Sequence, residues 1–291
     1  MLRFSKMQGA GNDFVVIDGI HESFEPTPSL IRALCDRHFG IGADQLLLVE
    51  AAPSAEVDFL YRIFNCDGSE VEMCGNGARC FGRFVRERGL TTKEHIRAQT
   101  MTRVVTMHYC DDKEVAVEMG TPELLLGTKQ FSASGVRTTE MAGRACYQIP
   151  TSEGTFTADL LAFGNPHAVV LVDERPSAAA LERYGRAIET SSLFPERINV
   201  EFMTVLNPDS AYVDVWERGS GATLACGSGA CAAAVSGQLR GLLNEIVRLM
   251  LPGGQLTVSW DGDPMHSVTL KGPAKFVFDG EIDEVALLQQ H

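Results

Sequence analysis

The 291-residue chain has 45% hydrophobic and 22% charged residues, a balance typical of globular proteins and not of disordered or fibrous ones. Its net charge of −13 disfavours nucleic acid as a partner. No apolar run approaches the roughly 18 residues that a membrane helix needs, and the first six residues lack the apolar core of a signal peptide. We therefore expect a cytoplasmic protein without a membrane partner.

Short strands dominate the predicted secondary structure. In chain order, β-branched or alternating runs predict strands at residues 14–18, 45–50, 59–64, 104–108, 115–118, 168–173, 202–206, 211–216 and 256–260. Pro28 and Pro176 each stand near the start of a predicted helix, where the missing N–H of proline costs nothing. Compact turns favour antiparallel pairing. Residues 122–146 show no firm pattern, and we expect them to join two halves of the chain.

An internal repeat divides the sequence. Residues 74–78 read Cys-Gly-Asn-Gly-Ala, and residues 226–230 read Cys-Gly-Ser-Gly-Ala. Upstream, Gly11-Asn12 is echoed by Gly164-Asn165 at nearly the same distance from the cysteine, and an aromatic and a polar residue precede each cysteine at matching positions, as Phe64-Asn65 and Trp216-Glu217. This spacing predicts two tandem copies of one fold.

A helix is predicted to follow each repeated cysteine. In the first helix an apolar stripe that includes Phe81 and Phe84 lies opposite an arginine face, and Gly89 ends the helix. In the second, residues 230–235 are apolar on all sides, so this helix must be buried all around. A sheet curled around a central helix would bury it in this way, and the repeat extends the same picture to the first half.

The position of Cys74 and Cys226 before these helices indicates chemistry. At a helix start, unpaired N–H groups and the positive end of the helix dipole converge. We expect this environment to lower the pKa of both thiols below the reference of about 8.5, while the neighbouring glycines let a carboxylate approach the N–H groups. Two such turns facing each other across a pseudo-twofold cleft would hold one carboxylate and place a sulfur on each face of the adjacent carbon.

That arrangement favours removal of an α-proton from one face of an amino acid and return of a proton to the other. Pyridoxal phosphate could support the same reaction, but all six lysines lie outside the two motifs, so we expect no cofactor. We also expect no metal site, because the spacing of Cys66, Cys74 and Cys80 matches no common zinc pattern.

Several motifs, in order and at matching spacing, resemble those of diaminopimelate epimerase: residues 6–14, 42–45, 65–70, 74–80, 164–167, 217–219 and 225–230. The resemblance spans nearly the whole chain. It implies cofactor-independent interconversion of LL- and meso-2,6-diaminopimelate, in the synthesis of lysine and peptidoglycan precursors, with Cys74 and Cys226 as acid and base. His167 and Glu217 would support the thiols.

The resemblance also implies which residues bind the substrate: Asn12, Gln45, Asn65, Gly75, Asn76, Asn165, Asn199, Glu217, Arg218, Gly227 and Ser228. It implies an α+β fold of two pseudo-symmetric domains, each a mainly antiparallel or mixed sheet curled around a central helix. The first domain would comprise residues 1–121 and 277–291, with a strand near residues 276–279 returning to it, and the second residues 122–276. A homodimer is implied as well, although Phe278 stands where relatives have a tyrosine that bonds across the dimer.

Other interpretations remain open for the cysteines and for the whole chain. Packing is the expected role of Cys35, Cys80, Cys110, Cys146 and Cys231, whereas the sequence does not assign Cys66 a role. A proline racemase or hydroxyproline epimerase would share the two-cysteine chemistry, and a noncatalytic thiol sensor would use the pair as a redox switch. Asn65, Glu217 and Arg218 favour a diaminopimelate epimerase, because they provide for a second amino-acid head.

Overall fold

The computed structural model describes residues 1–110, 114–127, 129–132, 134, 136–141 and 144–289. The first part of the chain contains β1 Leu2–Gly9, β2 Asn12–Asp18, α1 Pro28–Cys35, β3 Gln45–Ala51, β4 Phe59–Asn65, β5 Glu70–Val71, α2 Gly75–Glu87, β6 His95–Gln99, β7 Val104–Tyr109 and β8 Val115–Gly120. The middle contains β9 Thr138–Met141, β10 Arg144–Thr151, β11 Gly154–Ala162, β12 Pro166–Leu171, α3 Ala178–Glu189, β13 Asn199–Asn207, β14 Ser210–Glu217 and β15 Gly221–Thr223. It continues with α4 Gly227–Leu239, β16 Ile246–Leu251, β17 Gly254–Ser259, β18 Val268–Gly272, β19 Lys275–Ile282 and α5 Glu284–Leu288.

The chain forms two compact units. Unit 1 is Met1–Glu118 with Lys271–His291, and unit 2 is Met119–Leu270. The C-terminal strand β19 belongs to unit 1, where it pairs antiparallel with β1. The expected domain boundaries, after residues 121 and 276, stand a few residues later in the chain than these.

The two units share one order of strand pairing. In unit 1, β2 pairs with β1 antiparallel and with β3 parallel, and β3 then pairs antiparallel with β4. In unit 2, β12 pairs with β11 antiparallel and with β13 parallel, and β13 then pairs antiparallel with β14. The register places Leu46 opposite Phe64, and Val200 opposite Trp216, so equivalent residues of the repeat occupy equivalent places. The mixed α+β class predicted from the sequence is confirmed.

The cysteine-led helices are the central ones. Helix α4 packs against β11, β12, β13, β14, β16 and β17, and every residue from Gly229 to Gly237 is buried. Helix α2 packs against β1, β2, β3 and β7. Its predicted arginine face is only partly right, because Arg79 is fully buried and donates a 2.9 Å hydrogen bond to Asn76 Oδ1.

The helices α1 and α3 begin at capping residues, as proline-led starts predict. Thr27 accepts a 3.3 Å hydrogen bond from the Leu30 N–H, and Pro28 is the first residue of α1. In α3 the cap is Ser177, so Pro176 lies one residue before the cap and not in the first turn. A serine oxygen can satisfy the free N–H groups of the first turn, which explains why the helix starts after it.

The nine predicted strands are all present, with ends shifted by a few residues. The expectation for residues 122–146 was wrong in part, because β9 and the start of β10 lie there as an antiparallel pair. Strand β9 is mostly exposed and polar, so it carries no alternation of apolar residues from which to predict it. Residues 128, 133, 135, 142 and 143 of this segment lie outside the described residues. No described helix is long and apolar enough to cross a membrane.

Candidate active site

Cys74 is the residue that starts helix α2. It lies in extended backbone immediately before the first turn, and its Sγ accepts a 3.4 Å hydrogen bond from the Gly77 N–H. The first turn consists of Gly75, Asn76 and Gly77, and all three are buried. The N–H groups of a first turn point out of the N-terminal end of a helix, which is the end where the Cys74 thiol lies. This is the local geometry that the sequence predicted for the first copy.

One asparagine contacts the Cys74 thiol, and a second asparagine bonds to the first. The Asn12 Oδ1 lies 3.6 Å from Cys74 Sγ and accepts a 3.3 Å hydrogen bond from Asn76 Nδ2. The other end of the Asn12 amide donates to Asp44 Oδ2 at 2.8 Å. Since a carboxylate only accepts, Asp44 holds the Asn12 carbonyl oxygen toward the thiol.

The Asp44 carboxylate that binds Asn12 belongs to a network of charged side chains. Arg37 donates to both Asp13 and Asp44, and Lys6 donates to Asp13 at 2.7 Å. Although burial acts to raise it, the hydrogen bonds from Arg37 and Lys6 hold the pKa of Asp13 well below its usual range. Asp44 therefore sits in a fixed ionic framework.

Gln45 and Asn65 form a separate pair on neighbouring strands. Gln45 Nε2 donates a 2.9 Å hydrogen bond to Asn65 Oδ1, and Asn65 Nδ2 lies 3.3 Å from Ser69 Oγ. The remaining amide oxygen, Gln45 Oε1, is buried without a hydrogen-bond partner among the described residues. The structure thus groups Cys74 with Asn12 and Asn76, and Gln45 with Asn65.

Cys226 starts helix α4 in the same way, but its surroundings differ. The thiol is buried, and its Sγ lies 3.5 Å from Ser228 Oγ. Burial, together with the carboxylates of Glu217 and Glu201, raises the pKa of the Cys226 thiol well above its usual range. The expectation of a lowered pKa is therefore wrong for Cys226, because burial and two anionic neighbours outweigh the helix dipole.

His167 is fully buried on strand β12. Its Nδ1 lies 2.7 Å from Glu201 Oε1, and its Nε2 lies 3.1 Å from Asn165 Oδ1. Neither residue of the His167–Glu201 pair has any side-chain exposure. His167 and Asn165 are thus in contact, and Glu201 joins them.

The turn after β14 carries Glu217 and Arg218. Glu217 accepts a 2.5 Å hydrogen bond from Thr223 Oγ1. Burial raises the pKa of Glu217 despite the hydrogen bond from Thr223, which lowers it. The Arg218 N–H donates to Asn199 Oδ1 at 2.9 Å, and its guanidinium donates to the Glu196 carbonyl at 3.2 Å.

A family model described as Diaminopimelate epimerase matches residues 4–125 and 160–277 of this chain. A curated diaminopimelate epimerase of Cupriavidus taiwanensis is 49% identical over 98% of this chain and 99% of its own length. Another, from Thioalkalivibrio sulfidiphilus, is 47% identical over 97% of this chain and 99% of its own length. The chain belongs to the diaminopimelate epimerase family. The resemblance predicted from the motifs is confirmed.

Solved structures outside that level of identity show the fold. A probable proline racemase from Agrobacterium radiobacter K84 matches with a TM-score of 0.68 at 15% identity, over 97% of this chain and 93% of that chain. A hydroxyproline epimerase from Agrobacterium vitis matches with a TM-score of 0.64 at 15% identity, over 96% and 91%. A PhzF-family protein of Bacillus anthracis has a TM-score of 0.63 at 14% identity, over 97% and 98%. At these identities the shared feature is the architecture.

Sequence reasoning on this family member missed two buried glutamates. Glu201 interrupts the apolar run of β13 and contacts His167, and an acidic residue inside such a run was a usable signal. Glu189 ends α3, where it accepts hydrogen bonds from Trp216 Nε1 at 2.7 Å and from the Gly219 N–H at 2.8 Å. It thereby fixes the turn that presents Arg218.

The remaining cysteines differ in exposure. Cys35, Cys80, Cys146 and Cys231 are buried, as packing residues are, and burial raises the pKa of Cys35 and of Cys80 to about 12. Cys110 is partly buried, and Cys66 is exposed. Within the described ranges, no group of three or more His, Cys, Asp or Glu side chains has the arrangement of a metal site.

Proposed function

We propose that this chain interconverts LL- and meso-2,6-diaminopimelate at one α-carbon without a cofactor, in the route to lysine and peptidoglycan precursors. Membership of the diaminopimelate epimerase family over nearly the whole chain carries the proposal. The local geometry agrees with it, because each unit places a cysteine at the start of a buried central helix.

Cys74 and Cys226 are the proposed proton carriers. Epimerisation by two bases needs one thiolate to take the α-proton and one thiol to return a proton to the opposite face. The raised pKa of Cys226 supports its role as the thiol, and therefore the proton donor, in the resting enzyme. In the direction of epimerisation in which Cys226 donates its proton, Cys74 takes the α-proton, and its Sγ accepts a hydrogen bond from the Gly77 N–H. In the reverse direction the two cysteines exchange these roles.

The first turns of the two helices are proposed to bind the carboxylate next to the reacting carbon. Gly75 and Asn76 in α2, and Gly227 and Ser228 in α4, present N–H groups at the positive end of a helix dipole. Negative charge builds on that carboxylate as the α-proton leaves, so these N–H groups stabilise the transition state more than the ground state.

The second amino-acid head of the substrate needs both donors and an acceptor. Arg218 suits a carboxylate, since a guanidinium binds it through two parallel hydrogen bonds. Asn65, Asn165 and Asn199 supply further amide groups, with Asn12 and Gln45 in the same proposed role. Glu217 can accept from an ammonium group, and with His167 it supports the Cys226 thiol.

A homodimer and a cytoplasmic location belong to the same proposal. Strand β19 exposes the apolar side chains of Val277 and Phe278, which a second copy of the chain could cover. Light scattering coupled to size exclusion measures the mass directly. A monomer at micromolar concentration would remove this part of the proposal and leave the activity untouched.

Incubation in deuterated water tests the activity. With LL-diaminopimelate as substrate, we expect deuterium at one α-carbon and formation of the meso isomer, followed by mass spectrometry and chiral chromatography. L-Proline and trans-4-hydroxy-L-proline serve as parallel substrates. Exchange into either of these alone would place the chain with the racemases that share its fold, and exchange into none of the three would favour the noncatalytic thiol sensor.

A further inference from the structure

Glu201 is a buried acid that neither carries a proton to the substrate nor binds it in the proposed mechanism. It lies on β13 with no exposed surface, and its Oε1 is 2.7 Å from His167 Nδ1. Its second oxygen, Oε2, is buried and accepts no hydrogen bond from the described residues. A buried carboxylate with one oxygen unsatisfied is costly, so its presence calls for a compensating role.

The contact with Glu201 determines where the proton of His167 sits. A carboxylate oxygen only accepts, so a ring nitrogen 2.7 Å from it carries hydrogen. Nδ1 is therefore the donor to an ionised Glu201. The other ring nitrogen, Nε2, lies 3.1 Å from Asn165 Oδ1, an amide oxygen that likewise only accepts.

The start of helix α4 leaves space for the carboxylate of Glu201. A Cβ built on Gly229 would lie 2.6 Å from Glu201 Oε1, so only glycine at this position admits the acid. The first turn of a helix favours a negative charge, which offsets part of the cost of burying Glu201. Glu201 thus lies between the helix that carries Cys226 and the ring of His167.

The other copy of the fold shows that the architecture does not require this pair. Strand pairing places Phe14 opposite Gln45 in unit 1 and His167 opposite Asn199 in unit 2, so His167 corresponds to Phe14. Glu201 lies two residues after Asn199, and Leu47 lies two residues after Gln45, so Glu201 corresponds to Leu47. Both Phe14 and Leu47 are fully buried. An apolar pair therefore fills the same place in the same fold.

We propose that Glu201 is a positioning residue that fixes His167 with its proton on Nδ1, and thereby presents Nε2 toward Asn165 and the substrate. This inference rests on the proposed function for the role of His167 in catalysis. The orientation of the ring by Glu201 is a separate statement that can be measured without turnover.

The experiment compares Glu201→Gln and Glu201→Leu with the wild-type protein. Glutamine keeps the size of the side chain but no longer imposes a proton on Nδ1, and leucine is the residue that unit 1 has at this place. Asp214→Asn is the matched control, because Asp214 is a buried carboxylate on the adjacent strand β14 that pairs with Arg175 at 2.6 Å. Circular dichroism and thermal unfolding establish that each variant is folded.

Nitrogen-15 NMR of the histidine rings is the decisive measurement, with the His167 signals assigned by their loss in His167→Gln. In the wild type and in Asp214→Asn, we expect Nδ1 to have the shift of a protonated ring nitrogen. In Glu201→Gln and Glu201→Leu, we expect Nδ1 to lose that character, because neither side chain holds a proton there as a carboxylate does. An unchanged His167 spectrum in both variants would overturn the proposal.

Kinetics provide the second measurement. In both Glu201 variants we expect kcat to fall about tenfold or more, since a misplaced proton disables a histidine that an acid normally orients. We expect KM to change less than about twofold, because Glu201 makes no contact with substrate. Lost kcat with an intact His167 spectrum would also overturn the proposal. If the wild type fails to epimerise diaminopimelate, the proposed function fails, yet the NMR result still decides the role of Glu201.

Discussion

The starts of helices α2 and α4 have similar backbone conformations but different electrostatic environments. In α2, the space beside Gly77 is bounded by the Tyr61 hydroxyl and by Leu47, at 2.6 and 3.2 Å from a Cβ built there. In α4, the space beside Gly229 is bounded by the carboxylate of Glu201. The duplicated fold therefore fixes where each thiol stands, and the side chains beneath the helix determine how readily it ionises.

This difference gives two equivalent cysteines different neighbours. The carboxylates of Glu217 and Glu201 face Cys226, whereas the Cys74 thiol faces the amide oxygen of Asn12. In a reaction that uses one thiol and one thiolate at a time, different neighbours favour one placement of the shared proton over the other.

The strongest test of the comparison removes each thiol in turn. We expect Cys74→Ala and Cys226→Ala each to lower epimerisation at least about 100-fold, since each loses one of two proton carriers. Cys80→Ala and Cys231→Ala are matched controls, because these buried cysteines lie in the same two helices. We expect both controls to keep most of the activity. Turnover above about a tenth of wild type in either catalytic variant would contradict the two-thiol mechanism.

A methyl group added under each helix start probes the different neighbours. Alanine at an ordinary helix position stabilises by about 0.5–1 kcal/mol relative to glycine, but Gly77→Ala and Gly229→Ala place a Cβ 2.6 Å from a buried polar atom. We expect each to destabilise the protein by about 1–3 kcal/mol in urea unfolding, the usual cost of overpacking.

Only Gly229→Ala should also shift the NMR signals of His167, because only its neighbour, Glu201, bonds to that ring. Gly77→Ala serves as the control for the steric effect alone. A stabilised alanine variant at either position would show that the close approach does not constrain the helix.

Arg218 has Cys66 as its counterpart after the repeated aromatic and polar pair, so unit 2 alone offers a guanidinium there. We expect Arg218→Lys to weaken binding of diaminopimelate by about 1.5 kcal/mol, roughly tenfold in KM, because an ammonium does not reproduce two parallel hydrogen bonds. Steady-state kinetics measure this change. Arg197→Lys, whose guanidinium bonds to Glu189, is the control. An unchanged KM in Arg218→Lys would remove Arg218 from the substrate site.

The difference between the Cys74 and Cys226 thiols also predicts how the reactivity of Cys226 depends on pH. Anionic neighbours disfavour a thiolate, so alkylation of Cys226 by iodoacetamide should rise with a midpoint above the ordinary value of about 8.5. Glu217→Gln removes one neighbouring charge and should lower that midpoint. Peptide mass spectrometry follows the rate against pH, with the exposed Cys66 as the internal reference. A midpoint for Cys226 below that of Cys66 would contradict the assignment.

Local rules explain what could be predicted of the site from the sequence. A cysteine before Gly-x-Gly lies at the N-cap position of a helix in both units, as the repeat predicts, although only Cys74 accepts a hydrogen bond from the first turn. Pairing of β3 with β4 then brings Gln45 and Asn65 together, which follows from their places at the strand ends.

Long-range burial explains what could not be predicted. The pKa of Cys226 depends on Glu201, which comes from another strand, and on a degree of burial that composition does not reveal. Arg79 had the spacing of an exposed helix face, yet it is buried against Asn76 because α2 has neighbours on several sides. Strand β9 is too polar for periodicity to predict it.

The smallest expected effect concerns the residue beneath α2. The hydroxyl of Tyr61 is fully buried and has no hydrogen-bond partner among the described residues, and burial raises its pKa well above the usual range. Tyr61→Phe removes only that oxygen, so we expect the free energy of unfolding to stay equal or to rise by up to about 1 kcal/mol.

We also expect kcat of Tyr61→Phe to stay within about threefold of wild type, since Tyr61 takes no part in the proposed proton transfer. Urea unfolding and deuterium exchange into diaminopimelate give the two values. Glu201→Leu likewise replaces a buried polar group next to a helix start, but we expect it to lower kcat. If Tyr61→Phe lowered kcat as much as Glu201→Leu does, the two helix starts would be functionally alike, and the inequality of the thiols would need another cause.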